Sequence, residues 1–137
     1  MSAGKFHAFR LKPHRDIKEA ITTFAKDQKI KAGAIVSCVG SLEQYNIRFA
    51  NQPDGSFQKG FFEIVSLVGT FDESSSHIHI SVCDGKGNTI GGHLMNNCLV
   101  YTTAEIVVVE LTDLEFSRET DPTYGYQELV VKRKSDR

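Results

Sequence analysis

The stretch HIHISVCDGKGNTIGGH, residues 77–93, has the pattern of two short strands joined by a polar, glycine-rich turn. Alternate residues of an extended strand point to the same face. The first strand therefore has an apolar face, formed by Ile78, Ile80 and Val82. Its other face is polar and carries His77, His79, Ser81 and Cys83. One face is expected to pack on a core while the other stays available for polar side chains.

The turn fixes how the two strands pair. A hairpin centred on Lys86 places His79 opposite His93 and keeps the apolar residues of both strands on one face. A shift by one residue would set Ile80 against His93 and mix the two faces. Directly opposed residues have Cβ atoms about 4.5–5.5 Å apart, and same-face neighbours on one strand lie about 6–7 Å apart. We therefore expect His77, His79 and His93 to converge on one point.

Three converging imidazoles indicate a metal site. Three neutral histidines at about 2.0–2.1 Å, with water in the fourth position, form a known zinc arrangement. The pattern predicts that His77, His79 and His93 hold zinc or another divalent transition metal. The alternative is that they are surface or structural histidines with no ligand. Cys83, on the same face, is either a soft fourth ligand or a buried, inert thiol.

The remaining segments predict one helix and a sheet. Apolar residues recur with helical spacing at Ile17, Ala20, Ile21, Phe24 and Ala25. This stripe, with Asp16 before it and Gly33 beyond it, predicts a helix over about 16–31. The other segments alternate in the manner of strands separated by Gly-, Pro- and Asp-containing turns. We expect a single α+β domain spanning 1–137, with a mostly antiparallel sheet of about seven strands and a flexible basic tail over 133–137.

Composition excludes several classes of protein. The chain has 137 residues, is 40% hydrophobic and has a net charge of −1, so it can form a core and lacks the positive field on which nucleic-acid binding usually depends. No run of residues approaches the length of a membrane span, and Met1–Arg10 has no apolar block typical of a secretory signal. The three cysteines show no C-x-x-C spacing. These features predict a cytoplasmic protein with reduced thiols.

Two glutamates stand in apolar segments. Glu63 and Glu105 are flanked by hydrophobic residues, where an unpaired buried carboxylate would cost several kcal/mol. Each is a catalytic candidate, either accepting an imidazole N–H from the histidine group or acting as a general base. The alternative is a structural hydrogen bond. Glu128, near the end of the last predicted strand, could equally lie at a subunit boundary.

Several ordered motifs resemble a known family. They are GFFEIVSL at 60–67, HIHIS at 77–81, GGHL at 91–94, YTTAE at 101–105, FxRExD at 116–121 and GYxEL at 125–129. Together they resemble the plants-and-prokaryotes-conserved (PPC) domain over roughly residues 6–131. The combination identifies the chain as similar to the stand-alone prokaryotic type, which keeps the histidines that plant members lack.

The resemblance implies an α+β fold assembled as a homotrimer, with a metal at the positions of His77, His79 and His93 in some stand-alone members. Plant relatives are nuclear DNA-binding proteins that carry AT-hook segments beside this domain. The chain has no Arg-Gly-Arg-Pro core of an AT hook, so the DNA contact of those relatives has no counterpart here.

These observations favour a homotrimeric binding or assembly domain, with a regulatory role, that holds zinc at three histidines. Its expected partners are copies of itself and a small molecule or another protein. One alternative is a zinc-dependent hydrolase of an unknown small substrate, in which the zinc lowers the pKa of a water molecule. A second alternative is the DNA-binding function implied by the family label, which the charge balance disfavours.

Overall fold

The computed structural model describes residues 1–135 and shows an α+β fold, as predicted. In that range it contains one helix and eight strands. In chain order the elements are β1 (Gly4–Leu11), α1 (Ile17–Asp27), β2 (Gly33–Arg48), β3 (Ser56–Phe71), β4 (Ser76–Cys83), β5 (Thr89–Leu94), β6 (Leu99–Leu111), β7 (Leu114–Thr120) and β8 (Gln127–Arg133).

Six of the strands form one antiparallel sheet in the order β1-β6-β2-β3-β4-β5. A further pairing joins the end of β2 to β5 through Ile47 and Leu94, and curls this half of the sheet back on itself. Register shifts along β2 and β3 mark bulges, which bend long strands of this kind. The curvature brings β2 beside the hairpin of β4 and β5.

Strands β7 and β8 form a separate two-stranded antiparallel ribbon. The sequence did not predict β7, whose segment LEFSRET has few apolar residues and a weak alternation. Of the predicted basic tail over 133–137, Arg133 ends β8 and the Lys134 N–H donates to the Asp113 carbonyl at 2.9 Å. The last two residues, 136–137, lie outside the described part of the chain.

Helix α1 begins where predicted and ends earlier. Asp16 caps it by accepting a hydrogen bond from the Glu19 N–H at 3.1 Å. Its last residue is Asp27 rather than about 31, because Lys29 adopts a left-handed φ of 54°. The Ile30 N–H then bonds to the Ala25 carbonyl at 2.9 Å, the pattern of a Schellman cap. Ile30 is fully buried, so its burial supports the turn.

The helix covers only one face of the sheet. Its buried residues are Ile17, Ala20, Ile21 and Ala25, and they join the core with inward-facing strand residues such as Ile80. Burial of such side chains is the main stabilising contribution to a domain of this size. In the described chain, no helix has the length and hydropathy needed to span a membrane.

The opposite face of the sheet leaves large apolar side chains exposed. We call it the open face; its exposed apolar residues on β2, β3 and β6 are Val39, Phe61, Val65, Val68 and Tyr101. The Phe61 and Tyr101 rings contact each other with centroids 4.7 Å apart. Exposed apolar side chains grouped on one face of a sheet are typical of an interaction surface.

Candidate metal centre

The β4–β5 hairpin has the register expected from its sequence. His79 pairs with His93, Ser81 with Gly91, and Val82 with Ile90. Ile78, Ile80 and Val82 are buried, while the alternate side chains of β4 are exposed or half-buried. The two periodic faces and the turn therefore place the histidines as predicted.

Glycines allow these strands to approach closely. A Cβ at Gly91 would lie 2.9 Å from the Ile80 carbonyl oxygen, and one at Gly92 would lie 2.5 Å from the Arg48 carbonyl oxygen. These closest contacts are with neighbouring backbone, so the two glycines permit the tight packing of β5 between β4 and β2.

Asp84 organises the turn of the hairpin. Its carboxylate accepts hydrogen bonds from the Lys86 and Asn88 N–H groups at 2.9 and 3.0 Å, and from the Asn88 side-chain amide at 3.1 Å. The bond from the Asn88 side chain is the largest cause that lowers the pKa of Asp84, followed by the Lys86 N–H. The ionised aspartate is therefore the form that holds this turn.

Replacing Asp84 with alanine should lower the melting temperature at pH 7 by a few degrees, because three hydrogen bonds at the turn are lost. The folded-state pKa lies below the ordinary value of 3.8, so the contribution is present above that pH and is lost as the pH falls through the folded-state pKa. Thermal unfolding of the wild type and variant from pH 7 to pH 2.5 should therefore converge.

Asp54→Ala is the matched control, since Asp54 is an exposed aspartate in another loop and should show no such difference. Equal melting temperatures of the wild type and D84A at pH 7, or a difference that persists undiminished at pH 2.5, would contradict the role of Asp84.

The three histidines come together as a group. One ring nitrogen from each of His77, His79 and His93 lies within 4.8 Å of the other two. The ring centroids are 5.1, 5.3 and 4.5 Å apart for the pairs 77–79, 77–93 and 79–93. Nitrogens bound tetrahedrally to zinc at about 2.0–2.1 Å lie about 3.4 Å from one another. Small ring rotations would bring the group to that spacing, so the donor set fits a divalent transition metal.

The surroundings favour neutral imidazoles. Burial is the largest cause that lowers the pKa of His77, followed by the neighbouring His79 and Arg118. Burial also lowers the pKa of His93, with Arg48 as the next cause. Because a metal binds the neutral imidazole, these surroundings prepare both rings as ligands near pH 7.

A cleft of about 620 Å³ opens beside two of these histidines. Its charged lining side chains are Lys18, Arg48, Arg118 and Glu128. Its remaining lining residues are Asn51, Ser75, Ser76, His77, Ile78, His93, Leu94, Met95, Tyr126 and Gln127. The β7–β8 ribbon and the loop before β8 contribute one wall, and the helix contributes Lys18. The histidine group thus borders a space accessible to a ligand.

Sequence reasoning missed the cationic part of this lining. Arg48 lies directly opposite His93 through the pairing of β2 with β5, which links segments far apart in the chain. Arg118 was noted only within a family motif, and Lys18 not at all. No local pattern relates these residues to the hairpin, so only the fold reveals the cleft.

The two glutamates predicted as catalytic candidates lie elsewhere. Glu63 pairs with Ser41 and Cys83, and Glu105 pairs with Arg10 and Val39. Both are exposed, because they project from the open face rather than into the core as their apolar neighbours suggested. Neither lines the cleft, whose carboxylate is Glu128.

The cysteines lie apart from the histidine group. Within residues 1–135, the residues gathered around one point are the three histidines, and Cys83 is not among them. Burial raises the pKa of Cys38 and of Cys98 to about 11. Thiols held protonated in this way are poor nucleophiles and poor metal ligands.

Comparison with known proteins shows relatives over nearly the whole chain. A Synechococcus protein named bifunctional protein GlmU is 39% identical over 132 residues, which is 96% of this chain and 21% of the relative. A second Synechococcus protein of that name is 40% identical over 128 residues, 93% of this chain and 20% of the relative. The chain therefore spans about a fifth of the length of these curated relatives.

Solved structures share the fold. A hypothetical protein from Salmonella enterica is 36% identical, with a TM-score of 0.97 and 98% of each chain covered. A protein provisionally described as DNA-binding, from Bacteroides thetaiotaomicron, is 25% identical with a TM-score of 0.77, over 95% of this chain and 97% of that one. A metal-containing protein from Archaeoglobus fulgidus, 23% identical with a TM-score of 0.78 and 95% of each chain covered, shares the fold.

The family follows from the match to its sequence profile. The Plants and Prokaryotes Conserved (PCC) domain, the family abbreviated PPC above, matches residues 1–112. That range contains the six-stranded sheet, the helix and all three histidines of the candidate site. The chain belongs to the Plants and Prokaryotes Conserved domain family.

Proposed function

We propose that this PPC domain is a metal-binding assembly module in which His77, His79 and His93 hold zinc or another divalent transition metal. The observation that carries the proposal is the grouping of three ring nitrogens within 4.8 Å of one another at the edge of a cleft. Zinc bound by three histidines keeps a fourth position for a ligand, at which it acts as a Lewis acid. The chain's part is to hold the three rings neutral and oriented.

Elemental analysis of the protein purified without added metal tests the site. We expect about one zinc or other transition-metal ion per chain, and less than about a tenth of that in His79→Ala, because two imidazoles alone bind far more weakly. His14→Ala is the matched control, since His14 is exposed and bonds to Glu43 at 2.8 Å, away from the site. Equal metal content in the wild type and H79A would contradict the proposal.

We further propose that three copies associate through the open face, as the family resemblance implies. The support is an exposed apolar set on one side of the sheet, including Phe61 and Val39 at 69% and 62% exposure. Association would remove this surface from water, which contributes roughly 25 cal/mol of favourable free energy per Å² of apolar area.

A regulatory or assembly role agrees with the longer relatives, in which a similar region makes up a fifth of the protein. Three free cysteines suit the reducing cytoplasm.

A second candidate function is metal-assisted hydrolysis of a small substrate. The observation that favours it is Glu128, a carboxylate in the same cleft as His77 and His93, since a carboxylate near a reacting water can accept its proton. Faster hydrolysis of 4-nitrophenyl acetate by the zinc-loaded protein than by the metal-free protein would favour this function over simple binding.

DNA binding is a third candidate, carried by the family label and by the description given to the Bacteroides protein. The net charge of −1 gives it little support. A salt-sensitive complex in a gel-shift assay at physiological ionic strength would favour it.

A further inference from the structure

We propose that the cleft binds a small organic oxyanion, a carboxylate or phosphate monoester carried on a compact apolar body, with Arg118 and Arg48 as its charge partners. This inference rests on the proposed metal site in one respect only: a bound metal would increase the affinity of the cleft for the oxyanion. The guanidinium groups belong to the chain itself, and their contribution can be measured with or without metal.

The cleft has a local excess of positive charge. The cleft is lined by Lys18, Arg48 and Arg118 and by a single carboxylate, Glu128, although the whole chain has a net charge of −1. Clefts lined by one sign of charge concentrate ligands of the opposite sign. With three cationic residues against one carboxylate, an anion gains more from this arrangement than a neutral or cationic ligand does.

Within the described part of the chain, these cations have no anionic partner of their own. Among residues 1–135, the ion pairs within 4.0 Å involve other side chains, and none includes Lys18, Arg48 or Arg118. Arg48 is instead oriented by a hydrogen bond from its Nη1 to the Gln52 carbonyl at 3.2 Å. A planar guanidinium with free donors matches the paired oxygens of a carboxylate or phosphate.

Both arginines lie beside the histidine group. Arg48 lies on β2 directly opposite His93, and Arg118 lines the same cleft as His77. The cations therefore border the same space as two histidines of the group, from two different elements. An oxyanion held there would face the histidine group with one end.

The cleft also has apolar lining for the body of the ligand. Met95 and Tyr126 both line it. A volume of about 620 Å³ lies in the range typical of small-molecule sites, which combine apolar walls with a few polar groups. Free inorganic phosphate would leave this surface unused, so an organic body is expected.

Isothermal titration calorimetry with defined probes tests the inference. Phenyl phosphate and benzoate represent the two oxyanion types, and benzamide is the uncharged counterpart of benzoate. We expect at least one of the two anions to bind about tenfold or more tightly than benzamide, and Arg118→Gln to weaken that binding about tenfold. The anion that binds more tightly shows whether the cleft prefers a carboxylate or a phosphate monoester.

Arg133→Gln is the matched control, since Arg133 lies on β8 of the same ribbon, is exposed and does not line the cleft. It should leave anion binding unchanged. Benzamide binding as tightly as the anions, failure of both anions to bind at millimolar concentration, or equal effects of R118Q and R133Q would overturn the inference.

The same titrations on chelator-treated protein separate this inference from the proposed metal site. If elemental analysis finds metal but no probe binds, the anion site fails and the metal site stands. If the purified protein holds no metal but phenyl phosphate binding still depends on Arg118, the metal site fails and the anion site stands.

Discussion

Replacing Gly69 with alanine should lower the melting temperature by about 10 °C or more. A Cβ at Gly69 would lie 2.2 Å from the His77 carbonyl oxygen and 2.7 Å from the Ile78 Cα. Both are backbone atoms of β4, so relief requires the two strands to separate. Overpacking of this kind costs about 3 kcal/mol or more when backbone must shift.

Gly85→Ala is the matched control for this effect. Gly85 lies in the hairpin turn, and a Cβ there would meet nothing within 4 Å, so thermal unfolding followed by circular dichroism should match the wild type within about 2 °C. Because Gly69 is placed against His77, G69A should also reduce the metal content. A melting temperature for G69A equal to that of G85A would show that β4 is not held as closely as the structure indicates.

The histidine hairpin was predictable because its determinants are local. A single turn and two alternating faces decide the register, so the pairing of His79 with His93 follows from residues less than twenty positions apart. The start of α1 directly after Asp16 was predictable for the same reason. Its end was not, because the stop depends on a left-handed Lys29 and on the burial of Ile30, and burial is a property of the folded chain.

The cleft was not predictable because it depends on long-range pairing. Arg48 reaches His93 only through the closure of β2 on β5, and Arg118 arrives on a ribbon whose first strand has a weak pattern. For the two glutamates, the prediction from local sequence was wrong. Apolar neighbours suggested buried carboxylates, but strands alternate, and Glu63 and Glu105 point to the face that the helix does not cover.

Substitution of Phe61 by lysine should convert the proposed trimer to a monomer. Light scattering should give three times the chain mass of 15.2 kDa for the wild type and a single chain mass for F61K. Phe61 is 69% exposed in the single chain and contacts the Tyr101 ring on the open face. If this face is the interface, each copy would carry an added ammonium into the contact, and removing that charge from water costs several kcal/mol.

Exposure is also the reason that F61K should fold. A side chain that already faces water contributes little to the core, so the monomeric variant should keep the circular dichroism spectrum of the wild type.

Tyr124→Lys is the matched control, because Tyr124 is 84% exposed but lies in the loop between β7 and β8 rather than on the open face. It should remain trimeric. A wild-type mass of one chain would remove the trimer altogether, and a trimeric F61K would move the interface away from the open face. If F61K dissociates and Y124K does not, the trimer interface lies on the side of the sheet that α1 leaves uncovered.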